Sequence, residues 1–212
     1  MNILIDPLPG HVVIDGAAWS INSSFFIGIQ FELLMQDREL TDGEKVAQAL
    51  ALYYPEIPPN LETAMERLLW FYSCGKDALP AKAEADGKAV KKSAKKTPKA
   101  YCFEQDAPLI LAAFWAAYHL DLNEVEGLHW WKFRALFAGL PAESEFCKVM
   151  GYRTADTTGL SKKQKQHYER LKKLHALKNQ LDVVAALTLA ERNQRMKDYV
   201  TKRYEEVEAV QN

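Results

Sequence analysis

Two short apolar-rich runs flank Asp15-Gly16 in HVVIDGAAWSI, His11 to Ile21. That dipeptide supplies the positive φ of a type I′ turn, so the stretch predicts a β-hairpin. A lone hairpin is marginal in water and must pack on something. The following segment is the nearest partner: Asn22 or Ser23 is positioned to cap a helix with Phe25, Ile29 and Leu33 on one stripe and Phe26 beside them.

Helical spacing dominates from there. Thr41-Asp-Gly-Glu44 has the capping-box pattern and opens a second helix, which carries Val46, Ala49, Leu50 and Tyr53 and ends before Pro55. After the proline-stiffened YYPEIPPNL, Asn60 caps a third helix with Leu61, Met65, Leu68, Leu69 and Phe71, and Gly75 suits its C′ position. Asp106 and Pro108 mark the start of a helix through LILAAFWAAYHL. Apolar nearly all round, it is expected at the buried centre of a bundle. Another helix, LHWWKFRALF, closes near Gly139-Leu-Pro141. A short one follows around Ser144 to Met150, then the turn-like GYRTADTTG.

Leu160 to Asn212 predicts one or two long helices. Leu171, Leu174, Leu177, Leu181, Val184 and Leu187 recur every three or four residues, and the stripe resumes at Met196, Val200, Tyr204 and Val207. Such a stripe is a candidate surface for a partner helix.

LHWWKFRALF, Leu128 to Phe137, sets the sharpest choice: aromatics interleaved with cations make either a nucleic-acid stacking platform or the inner face of a helix. Trp130, Phe133 and Phe137 fall at i, i+3 and i+7 with Leu136 beside them, while Trp131, Lys132 and Arg134 point elsewhere. A platform needs exposed rings among its cations. The coherent stripe predicts core packing against the helix at 109–120.

Composition supports a large core, with 48% hydrophobic and 11% aromatic residues in 212. The net charge of −1 argues against a nucleic-acid or membrane-surface protein. Charge is uneven, however: residues 1–75 hold 3 cations against 10 acids, and residues 76–100 hold 8 against 3. Residues 161–178 hold 7 against 1. The Lys- and Ala-rich stretch 76–100 has the composition of a flexible linker. It divides the hairpin and helices of 1–75 from the central helices of 101–160, which share one bundle; 161–212 forms a basic, apolar-striped end.

Chemistry is sparse. Cys74, Cys102 and Cys147 form no CxxC pair, which fits a reduced compartment. MNILIDPLPG lacks the features of a signal peptide, and the uncharged, strongly apolar run Ala107 to Leu120 is too short to span a bilayer. GxGxxG, Walker, GxSxG and HExxH patterns are absent. Glu126 and His129 have ExxH spacing, but di-iron bundles need a second such pair. No catalytic residue, cofactor or metal is expected.

The order of motifs resembles the bacteriophage gene-product-fifteen family. DPLP, SIN, YYPEIPP, LLWFYSCGK, YCFEQDAPLILAAF, LHWWKFRALFAGLP and FCKVMGYRTAD carry the resemblance, over roughly residues 2–178. It implies a small protein of the tail regions of phages and prophages, without catalytic or ligand residues to transfer. The expectation is a mainly α helical bundle with a small N-terminal β-hairpin, acting as a non-enzymatic tail assembly chaperone in the host cytoplasm. Its expected partner is the tape-measure protein; the major tail protein and further copies of the chain are also candidates, and no membrane. A structural virion component is the alternative. Nucleic-acid binding through the Lys-rich segments is a second and less favoured one.

Overall fold

A computed structural model describes residues 2–76 and 99–177. Among them, strands β1 (His11–Ile14) and β2 (Ala17–Ser20) precede helices α1 (Phe25–Gln36), α2 (Asp42–Tyr53) and α3 (Leu61–Tyr72). Then come α4 (Ala107–Tyr118), α5 (Trp130–Ala138), α6 (Glu145–Thr154) and α7 (Lys162–Leu174). The described residues are mainly α with one antiparallel hairpin, as the patterning predicts. The linker composition at 77–98 and the stripe from Leu181 onward lie outside the described residues.

Local chemistry explains most boundaries. Asp15 and Gly16 have φ of 50° and 81°, the positive pair of a type I′ turn, and set the register Ile14 opposite Ala17. Val12 and Ile14 face inward and are buried. Thr41 and Glu44 form the capping box of α2, and Asn60 accepts the Thr63 N–H to cap α3. Ser144 caps α6, and Ser161 with Gln164 forms a second capping box at α7.

Helix α1 departs from its expected stripe. Its cap is Ser24 rather than Asn22 or Ser23, and its buried line is Phe25, Gly28, Phe31 and Leu34. Ile29 and Leu33 pack only partly against the core. Gly28 decides this rotation: a Cβ there would lie 2.1 Å from Trp130 Cε3, so only glycine lets α1 and α5 approach. On α2, Val46 is exposed while Ala49, Leu50 and Tyr53 are buried. On α3, Leu61 and Leu69 are likewise exposed, and Ala64, Leu68 and Phe71 face the core.

Two further expectations need correction. Helix α4 is not the buried centre: Ile110, Ala113 and Phe114 point inward, but Trp115 is 56% exposed. Helix α4 meets α5 through side chains, with Phe114 and Phe133 stacked at 5.3 Å and the Tyr118 hydroxyl donating to Leu136 O. Backbone-to-backbone packing instead joins α5 to α1 and α4 to α6. Helix α6 runs on through Gly151-Tyr-Arg-Thr154, where the sequence suggested a turn. A glycine inside a helix costs about 1 kcal/mol, yet the helix continues through it to Arg153, whose side chain binds Asp106.

Candidate functional site

The tryptophan pair is buried on both members. Trp130 and Phe133 are fully enclosed and Phe137 nearly so, in agreement with the stripe. Trp131 is buried too, although helical spacing points it away from that stripe. A hydrogen bond accounts for it. Trp130 Nε1 donates to Tyr72 O at 2.9 Å and Trp131 Nε1 to Phe71 O at 2.7 Å. Those carbonyls belong to the last turn of α3, where helix acceptors lack the i+4 amide of a continuing helix. The indoles therefore fill the core and close a neighbouring helix in the same contact.

The turn after α3 is shaped for this. Cys74, at C′, takes the left-handed conformation with φ of 58°, so the sequence-based assignment of C′ to Gly75 is one residue late. The Cys74 N–H returns to Phe71 O and the Gly75 N–H to Trp70 O, a Schellman closure. Gly75 itself has φ of 73°, and a Cβ on it would meet Trp131 at 2.8 Å.

A half-buried polar cluster lies behind the rings. The Tyr72 hydroxyl donates to Glu32 Oε1 at 2.7 Å, and Arg134 lies 3.7 Å from the same oxygen. Arg134 also donates to the Tyr101 hydroxyl and sits 5.5 Å over the Trp130 ring. Burial pushes the Tyr72 hydroxyl well above the usual tyrosine range, and its bond to Glu32 adds to this. Burial raises the Cys74 thiol as well, against the opposing pull of Arg134. Phenols and a thiol held protonated are poor nucleophiles at neutral pH. The cluster is built to hold α1, α3 and α5 together around one guanidinium. Beside it, the buried Tyr53 hydroxyl makes no hydrogen bond among the described residues.

His129 stands at the N-cap of α5, its Nδ1 accepting the Trp131 N–H at 3.0 Å. Its Nε2 meets Pro9 O at 3.1 Å. Both ring nitrogens are thus engaged. Glu126 lies on the exposed loop before the helix, so the ExxH spacing does not share a helical face. Among the described residues no cluster of three or more His, Cys, Asp or Glu has metal-binding geometry.

Arg153 makes the densest polar node. It grips Asp106 with two bonds of 2.6 and 2.8 Å, and both side chains are nearly buried. It donates further to Ala100 O and to His175 O. Asp106 also accepts the Cys102 N–H, so it does not cap α4 with its side chain as its position suggested. Here the MGYR motif acquires a physical role.

The residues of the expected partner stripe divide. Leu171 is half-buried on α7, and Leu174, at the last helical position, is 71% exposed. The helix then ends as the His175 N–H closes on Leu171 O, so Leu177 follows it off the helix. Leu181, Val184 and Leu187 are outside the described residues. Helix α7 buries no residue fully and carries six cations against one acid. No described helix is long and apolar enough to cross a membrane.

Comparison with curated proteins and with solved structures gives no match. A family model described as Bacteriophage Gp15 protein matches residues 4–177, which takes in every described element from the hairpin to α7. The chain belongs to the bacteriophage Gp15 family.

Proposed function

We propose that this phage protein is a non-enzymatic tail-morphogenesis factor, and specifically a chaperone that keeps the tape-measure protein soluble in the host cytoplasm until the tail tube forms. A tape measure is a long helix whose apolar stripes invite aggregation before the tube encloses it. The observation that carries this reading is α7, a surface helix with Leu174 71% exposed beside its cations. Arg153 and Lys172 bind it to the C-terminal end of α6, through His175 O and Ala155 O. A partner helix meets a surface that is already ordered, which lowers the entropic cost of docking. The major tail protein and further copies of the chain are additional candidate partners.

Co-expression with the tape-measure protein tests this. The expected result is more soluble tape measure and a complex that co-purifies, both weakened by L171E/L174E. Unchanged solubility and no complex would reject the chaperone role. Recovery of the protein from mature virions would favour a structural component of the tail. The cations of α7 also make nucleic-acid binding testable: it requires a gel shift whose affinity falls steeply with salt.

A further inference from the structure

We propose that His129, which ties the N-terminal arm to the start of α5, is an acid-sensitive lock on the first turn of that helix: its hold on the Trp131 amide is closed when the ring is neutral and opened by a second proton. The two partners of the ring fix its state. Pro9 O is a carbonyl and only accepts, so Nε2 carries the hydrogen in that 3.1 Å contact. The Trp131 backbone N–H only donates, so Nδ1 is bare at 3.0 Å. Together they select one neutral tautomer.

A proton on Nδ1 would set two donors against each other at that distance. It would also place a cation at a helix N-terminus, where the macrodipole is already positive. Its one relief is the Pro9 carbonyl, which accepts from the charged ring as from the neutral one. From α3 the ring meets Phe71 at 5.5 Å, and from α5 it meets Trp131 at 6.0 Å. From the start of α1 it pairs with Ser24 along the backbone. The charge that acts on it is the Lys132 ammonium, of the same sign. No carboxylate among the described residues hydrogen-bonds the ring.

The direction of the pH effect follows. Burial holds the His129 pKa below its ordinary 6.5, with Lys132 adding to the shift and the Pro9 bond opposing it. The unfolded chain therefore takes up this proton more readily than the folded one. The stability from the lock is complete above pH 6.5 and is lost as pH falls through the lower, folded value.

What opens is local. The Phe25 N–H bonds Leu128 O and the Trp130 N–H bonds Ser23 O, on either side of His129. These bonds hold the core, and the Nε2–H keeps its bond to Pro9 O, while the Trp131 amide comes free.

Proton NMR of the full chain from about pH 7.5 to about pH 5 reads the lock directly. The His129 ring is expected to titrate below 6.5, with the Trp131 amide shift following the same curve. In H129N the asparagine remains a good N-cap acceptor but does not titrate, so the Trp131 amide is expected to stay flat. A His129 midpoint at or above 6.5 overturns the proposal, as does an equal pH response of Trp131 in H129N. If H129N does not fold, the wild-type titration still decides between these outcomes.

Discussion

Helices α4 and α5 invert the usual relation between hydrophobicity and burial. Helix α4, APLILAAFWAAY, has no charged residue, yet it leaves Trp115 56% exposed. Helix α5, WWKFRALFA, includes a lysine and an arginine and buries Trp130, Trp131, Phe133 and Phe137. The difference lies in what each is offered. Around α5 the chain supplies glycines at 28 and 75 where rings must approach, and α3 carbonyls where indoles need acceptors. Helix α4 meets α5 through the stacked Phe114 and the hydroxyl that its own Tyr118 donates to Leu136 O, both on a single side. Burial is set by complementary surfaces more than by apolar content.

Substitutions graded by size test that contrast. The largest effect is expected from Trp130→Ala, at about 3–5 kcal/mol of stability in urea unfolding. A loss below about 1 kcal/mol would remove α5 from the centre of the fold. Next comes Gly28→Ala. Its new methyl must displace a rigid indole, which should cost about 1–3 kcal/mol despite the better helix propensity of alanine. Equal or greater stability would show that α1 and α5 are not held at this spacing.

Trp131→Phe keeps most of the ring but deletes the donor to Phe71 O, so about 1 kcal/mol is expected. Faster amide exchange in the last turn of α3 should accompany it. The smallest change is Trp115→Ala on α4, within about 0.5 kcal/mol for an exposed site. A concentration-dependent loss there would instead reveal that another molecule covers this face. Tyr53→Phe sharpens the picture in the other direction: removing an unpartnered buried hydroxyl should raise thermal stability slightly.

What was legible in the sequence was what acts over a few residues. The Asp15-Gly16 turn, the Thr41 box, the Asn60 cap and the stripe of Trp130, Phe133 and Phe137 all follow from short-range rules. What escaped depends on partners far along the chain. Trp131 is buried because Phe71, 60 residues earlier, presents a carbonyl. Asp106 gives up its capping role to Arg153, 47 residues later. Gly28 shows no signal of its own, since a glycine in a helix looks like a weakness until Trp130 is placed against it. The candidate partner face was visible as periodicity in Leu171 and Leu174, but the helix end at His175 was not.

Arg153 has a mechanical consequence. It holds Ala100 O, just after one segment outside the described fold, and His175 O, just before another. Tension applied through either point reaches the same guanidinium and passes into Asp106 at the root of α4. A load entering at His175 is thus shared with Asp106 before it strains α7.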